Sequence, residues 1–387
     1  MVTQLANYQT QSNPDCQLLF PSTFELNPSD QSIEIVNIAN AYKANKKFAP
    51  LNKSLLHIHN RRYLGNKHRL LDFIEEIVKH KCGVYESFCD IFAGTGVVGD
   101  RFNSSSVECI SNDILFSNYI PLLTFLGATN IDYKLLKEKI DYLNSIDAKT
   151  DNYFSNHYGN TYFSLNNARK IGTIRQEIEF ISISDEEHAA LLTSLIYATD
   201  KVANTVGHYD AFRKDLDSLN PIKLLVPKVD LDNNIGNKIY REDANSLVRK
   251  MSFEILYVDP PYNSRQYCDA YHLLENLAVW EKPRVYGKAK KMDRTHLKSK
   301  YCLKSASEAF ADLIANARCK HILISYNNTG ESKDGRSNAR INDATIQQIL
   351  KEKGKLEIFE KEYKAFTAGQ STTSGHTERI FYCRVTK

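Results

Sequence analysis

An apolar run, Phe253-Glu254-Ile255-Leu256-Tyr257-Val258, ends in Asp259-Pro260-Pro261-Tyr262. Few folds accommodate that junction. The run has the composition of a buried strand, and the prolines that follow have no N–H to offer a sheet ladder. The strand must stop at Asp259, and the fixed φ of each proline holds its carbonyl outward. One point on a sheet edge then carries a carboxylate, fixed carbonyls and a flat aromatic ring. A turn that merely closes a strand is the plainer reading of the same four residues.

A second feature lies upstream. Val84 to Phe102, VYESFCDIFAGTGVVGDRF, reads as a buried strand, a glycine-rich turn and a helix start. Gly94, Gly96 and Gly99 follow Asp90-Ile91-Phe92. Glycines at the end of a first parallel strand let a ligand approach the backbone, and such crevices take nucleotide-like ligands in doubly wound sheets. The spacing Gly94-Thr95-Gly96-Val97-Val98-Gly99 by itself permits a dinucleotide such as NAD. An NAD dehydrogenase would leave Asp259-Pro260-Pro261-Tyr262 without a role.

Together with Tyr63 to Ile74, YLGNKHRLLDFI, these two motifs resemble an S-adenosylmethionine-dependent DNA amino-methyltransferase. Their order is that of the N6-adenine enzymes of the Dam-like, D12 class. The longer string from Asp259 to Ala278, then YGK, KSKYC and SYNNTG, is similar to the FokI-type modification methylases within it. The resemblance runs from about Arg62 to the C-terminus. It implies an α/β fold: a mixed, mostly parallel Rossmann-like sheet with an antiparallel C-terminal pair. It implies S-adenosylmethionine as cofactor with no metal and double-stranded DNA as partner, and leaves open a cognate restriction endonuclease acting separately. Asp259, Pro260, Pro261 and Tyr262 would be catalytic. Tyr63, Lys67, Asp90, Phe92, Gly94, Gly96, Asp113, Asp243, Ala244 and Asp259 would meet the cofactor. Lys67 could equally be a solvated charge at a helix start.

The remaining sequence is consistent with this. The length, 387 residues, suits one large domain with an insertion. The chain shows no leader pattern and no apolar run of membrane-spanning length, so a cytoplasmic protein is expected, and the resemblance implies a bacterial or archaeal, DNA-associated one. The eight cysteines form no Cys-x-x-Cys pair and read as free thiols. A net charge of +4 is mild, so nucleic-acid binding must come from local patches.

Residues 1 to about 50 read as an N-terminal extension: a polar leader, then an amphipathic helix over Ser32 to Phe48. Val107 to Asp113 predicts the second strand. Its terminal acid lies about twenty residues past the glycine turn, where ribose hydroxyls are held; capping the next helix is the structural alternative for Asp113. The next strand pattern, Lys238 to Asp243, comes about 130 residues later, whereas a plain crossover needs only about a dozen. The catalytic domain is therefore assigned to 51–114 and 236–387, with 115–235 inserted. That insertion is mostly helical by its patterning. Asp185 to Asn204 is its clearest helix, with Asp185 as a candidate cap. The resemblance makes the insertion the target-recognition region and Ala203 to Phe212 a stretch typical of it.

The clear basic cluster lies elsewhere. Lys282, Arg284, Lys288, Lys290, Lys291, Arg294, Lys298, Lys300 and Lys304 are opposed only by Asp293, with Tyr286 and Tyr301 interleaved. A flexible loop tracking phosphates has this composition, and so has a solvated face. Lys288, Lys290, Lys291, Arg294 and Lys298 are the DNA-contact candidates.

Adenine-N6 methylation is the reading favoured. A cytosine-N4 enzyme would use similar chemistry on a smaller amine. RNA and protein amide methyltransferases usually carry Asn-Pro-Pro-Tyr, and Asp259 departs from that. A cofactor-dependent DNA-binding module without catalysis would require a lesion in the site.

Overall fold

The computed structural model describes residues 55–216, 220–327, 339–362 and 377–386. The expected leader and the Ser32 to Phe48 helix lie outside the described residues.

Among the described residues, seven strands form one sheet: β1 (Ser87–Asp90), β2 (Glu108–Asn112), β3 (Lys238–Tyr240), β4 (Ile255–Val258), β5 (His321–Asn327), β6 (Gly354–Glu362) and β7 (Thr377–Val385). Their order is β3-β2-β1-β4-β5-β7-β6. The first five run parallel. β7 pairs antiparallel with both β5 and β6. The expected mixed sheet with its antiparallel C-terminal pair is therefore present.

Topology decides where a ligand can sit. From β1 the chain moves to β2 and β3 on one side, then returns to β4 on the other. The switch point falls between β1 and β4, and open parallel sheets bind their ligands in the crevice at that point. Phe88 pairs with Ile255, Cys89 with Leu256 and Asp90 with Tyr257. This register sets Asp90 beside the end of β4, where Asp259 begins the proline turn. All four β4 residues are buried, which is why the strand lacks polar alternation.

Among the described residues, five α-helices separate β2 from β3: Phe116–Leu122, which runs on into a π-helical turn Leu123–Gly127, Tyr133–Ser145, Tyr153–Tyr158, Leu165–Ile181 and Asp185–Val202. The insertion is helical as its pattern predicted, with one local correction. Ser184, not Asp185, caps the last helix. Its extended backbone (φ −144°, ψ 161°) aims the hydroxyl at the Glu187 N–H, leaving Asp185 in the first turn.

The segment between β2 and β3 is bonded to the helix His272–Val279. Arg175, 3% exposed, donates to the carbonyls of Leu277 and Ala278 at the end of the helix His272–Val279. Glu275 of that helix, 1% exposed, accepts from the N–H groups of Phe116 (2.9 Å) and Ser117 (2.8 Å). Those donors open the helix after β2 and have no intrahelical acceptor, so Glu275 supplies one from across the fold. The seven described cysteines are free, and no helix among the described residues is long and apolar enough to cross a membrane.

Candidate active site

The glycine turn after β1 is shaped by steric need. Gly94 (φ 54°) and Gly96 (φ 82°) occupy left-handed backbone. A Cβ on Gly96 would fall 2.6 Å from Leu122 Cδ2, and one on Gly94 would fall 3.1 Å from the Tyr63 ring. The turn is tied to β2 by Ala93 N–H donating to the Asn112 carbonyl at 2.9 Å. Asn112 carries more than the sequence suggested. Its amide donates to the carbonyls of Ile91 and Glu242 and accepts from the Glu242 N–H. Three strand ends are thereby fixed together.

A large cavity opens over this edge. Asp90, Phe92, Gly94, Asp113, Asp243, Ala244, Asp259, Pro261, Tyr63 and Lys67 all line it, while Gly96, Pro260 and Tyr262 do not. Most of the cofactor candidates drawn from separated stretches of sequence thus share one surface. Tyr262 turns toward β5. Its carbonyl accepts from the Arg340 N–H at 2.7 Å, and its ring meets Tyr326 edge-on at 6.1 Å. Phe92 meets Tyr301 edge-on at 5.0 Å.

Three carboxylates dominate the electrostatics. Burial raises Asp259, and Lys67 pulls it back down. Their ion pair spans 2.9 Å, with side chains 8% exposed on Lys67 and 18% on Asp259. Burial works against the Lys67 ammonium, but Asp259 and Glu378 outweigh it and hold the lysine charged. Burial, then Asp259 and Asp113, push the Asp90 carboxyl well above the ordinary range. Its Oδ1 is buried with no hydrogen-bond partner among the described residues. Asp113 is pushed up to about 6 by burial, against the N–H groups of Leu115 (2.8 Å) and Gly94 (3.0 Å), which favour its charged form. Asp113 therefore braces both the glycine turn and the entry to the next helix. The two readings of this residue are not exclusive. Asp243 caps the helix Ala244–Lys250 through the Ser246 N–H.

The segment over the cavity is held from two sides. Tyr63 stacks on Tyr271 at 4.5 Å, and Asn118 donates to its hydroxyl at 2.9 Å. Both backbone groups of Leu64 are used: its N–H donates to Tyr271 Oη (2.7 Å) and its carbonyl accepts from the Tyr267 hydroxyl (3.1 Å). Sequence reasoning passed over Tyr267, Tyr271 and Glu275. The signal available was a glutamate inside the otherwise apolar pattern HLLENLAV.

The basic segment divides. Lys291 pairs with Asp210 at 2.7 Å, and Arg294 pairs with Asp269. Lys288, Lys290 and Lys298 are exposed. Tyr286 and Lys291 exchange two backbone hydrogen bonds (2.8 and 3.0 Å), so this part of the expected flexible loop is a small closed hairpin. Farther on, Gln266 and Ser299 exchange a second pair (3.0 and 2.8 Å), which fixes His296–Tyr301, including Lys298, as a cavity wall.

Comparison with known proteins agrees with this geometry. Residues 63–332 match the family model described as D12 class N6 adenine-specific DNA methyltransferase. The modification methylase StsI of Streptococcus sanguinis is 39% identical over 311 residues, which is 75% of this chain and 46% of that protein. The type II methyltransferase M.NlaIII of Neisseria lactamica is 32% identical over 328 residues, 81% of this chain and 95% of the relative. M.FokI of Planomicrobium okeanokoites, also a type II methyltransferase, is 34% identical over 346 residues, 83% and 52% respectively. The chain thus spans about half the length of StsI and M.FokI.

Proposed function

Because the chain belongs to the D12 class of N6 adenine-specific DNA methyltransferases, we propose that it methylates adenine N6 at a specific site in double-stranded DNA, as the modification enzyme of a restriction-modification system. The observation that carries this reading is the convergence of Asp259 with Asp90, Asp113 and Lys67 on one cavity at the sheet's switch point.

The residues suit a cationic methyl donor. Buried carboxylates are costly unless something positive offsets them, and Asp90 Oδ1 has no partner among the described residues. S-adenosylmethionine, bound here, would supply an electrophilic methyl on a sulfonium centre. Asp113 would accept from the ribose hydroxyls, and Asp90 would face the positive end of the donor. The glycine turn leaves room for close approach, and Tyr63 would cover it.

Adenine's exocyclic amine is a poor nucleophile because its lone pair is delocalised into the ring. Asp259 and the Pro260 carbonyl would accept the two amine hydrogens and so localise that lone pair toward the methyl. Lys67 opposes the effect of burial on Asp259 and fixes it at 2.9 Å, so the acceptor is positioned before the base arrives. The nitrogen sheds its proton after transfer, so Asp259 need not be a strong initial base. The barrier falls mainly through positioning and fixed charge. The target base must leave the duplex to reach Asp259, and Tyr262 would stack on it there.

The test is nucleoside analysis of unmethylated DNA treated with the pure protein and S-adenosylmethionine. N6-methyladenine is the expected product. N4-methylcytosine, or methyl groups only in RNA, would overturn the assignment.

A further inference from the structure

The stretch Ala203–Phe212 carries an apolar side chain that packing does not explain. Val206 is 58% exposed. It precedes Gly207 (φ 102°), around which a Cβ would meet nothing within 4 Å. A lone exposed valine is ordinary. Its mounting is not. On one side Asn204 is fixed four ways: its N–H to the Tyr162 carbonyl (2.8 Å), its amide to the carbonyls of Thr161 (3.0 Å) and Arg213 (3.1 Å), and its own carbonyl from the Arg213 N–H (3.1 Å). On the other side Tyr209 is fully buried. Its N–H donates to the Ala270 carbonyl (2.7 Å), its carbonyl accepts from the Tyr162 hydroxyl (2.7 Å), and its own hydroxyl donates to Asp200 (3.0 Å). Only a short polar-apolar tip stands free between two rigid feet.

The feet tie that tip to the catalytic elements. Ala270 ends the short helix that follows Asp259-Pro260-Pro261-Tyr262. The Tyr162 hydroxyl also reaches the Ala289 carbonyl (3.2 Å), so the basic hairpin rests on the same post. Lys291 closes the arrangement by pairing with Asp210. Asp210 also lies 3.5 Å from His208 Nδ1, so the Lys291–Asp210 pair stands beside the tip. Lys288 and Lys290 are exposed. An apolar point is thus mounted against the helix that follows the acceptor, on a post shared with the basic hairpin.

We infer that Val206 is the wedge that enters the duplex when the target base leaves the stack, with Lys288 and Lys290 of the neighbouring hairpin holding phosphates. The inference rests on the proposed reading of this site as acting on a base extruded from duplex DNA. Extruding a base leaves unstacked neighbours and a gap, and apolar side chains are known to enter the base stack, as DNA-bending proteins insert them between base steps. Valine suits the task because its β-branched side chain has little rotamer freedom to lose.

The test starts by mapping an adenine that the unaltered protein methylates and building a duplex around it. A second duplex carries a mismatch opposite that adenine, so less unstacking is needed. Val206→Ser should lower kcat/KM about tenfold on the matched duplex, the equivalent of one buried aliphatic side chain. It should recover most of that loss on the mismatched duplex, and Val206→Leu should stay near the original on both. With 2-aminopurine at the target position, Val206→Ser should give a smaller fluorescence rise on binding. An equal loss on both duplexes, or none on the matched one, would overturn the wedge. If the unaltered protein methylates no adenine, the reading beneath falls first, before any substitution is made.

Discussion

Two charged regions meet at this site, and they are built in opposite ways. Inside the cavity, Asp90, Asp113 and Asp259 are drawn together largely out of water, with Lys67 paired to Asp259. Outside, the segment 282–304 leaves Lys288 and Lys290 in solvent and turns Lys291 and Arg294 inward onto Asp210 and Asp269. Burying a carboxylate is expensive, and the raised pKa values of all three acids record that expense. Exposed lysines cost little. The acidic interior is therefore a commitment to a cationic ligand in fixed geometry, whereas the basic exterior is a loose field for a polyanion. Salt should distinguish the two, weakening the outer field and sparing the inner one.

The inner region is most sensitive at Asp259. Asp259→Ala should lower methyl transfer about a thousandfold or more, because a fixed acceptor aimed at the reacting group is among the largest single contributions to rate. Asp259→Asn should keep a trace, since one amide oxygen still accepts. Both variants leave Lys67 without its partner, so a thermal melt should accompany each. Near-normal turnover of folded Asp259→Ala in a labelled-methyl assay would mean the interior acids serve the cofactor alone.

Lys67 tests whether the inner pair is a unit. Its charge lowers the Asp259 pKa against burial, so Lys67→Met should let that pKa climb. The acid limb of the kcat profile should move to higher pH, with turnover near neutrality reduced about a hundredfold. If only the cofactor Kd changes and the profile stays put, Lys67 belongs to the methionine end of the cofactor and not to Asp259.

Asp113 separates the two regions by titration. Burial holds it near 6, above the ordinary carboxylate range. Between those values the folded protein keeps a proton that the unfolded chain has released, so this group's contribution to stability falls as pH rises through that window. Cofactor binding should slope the other way, since ribose hydroxyls need the ionised form. Affinity for S-adenosylmethionine, measured by calorimetry, should rise through about pH 6. Asp113→Ala should weaken binding about ten- to a hundredfold and flatten that rise. Unchanged affinity would leave Asp113 only its bracing of Gly94 and Leu115.

How far the sequence could be read differs between the two regions for a physical reason. Asp90, Asp113 and Asp259 each end a strand whose apolar pattern is local, so their shared edge followed once the strands were ordered. The Lys67–Asp259 pair was not legible, because it is made by folding Tyr63–Lys67 back across the sheet and neither flank encodes its partner. Tyr271 and Glu275 looked like ordinary helix residues, since their hydroxyl and carboxylate act on backbone groups, which carry no sequence signature. The cap at Ser184 instead of Asp185 was a one-residue choice between two good capping side chains. In the basic run, composition could not say which cations face solvent. Asp210 and Asp269 decide that, and they lie far away in the chain.

The outer region gives the smallest effects and the cleanest division. Lys288 and Lys290 have no ion-pair acid among the described residues, so each is free to meet a phosphate. Replacing both with Gln should weaken binding to all DNA sequences alike. For each phosphate no longer neutralised, the slope of log affinity against log salt should fall by about 0.9. The melting temperature of this variant should not move. Lys291→Gln should do the reverse. It removes a partly buried pair with Asp210 worth roughly 1 kcal/mol or less, so the melt should shift slightly while the salt slope holds. Equal salt slopes for all of these variants would reduce the whole segment to a solvated face. A slope change from Lys291 alone would mean that its pair with Asp210 opens when DNA arrives, and the boundary between the two regions would then run through the hairpin itself.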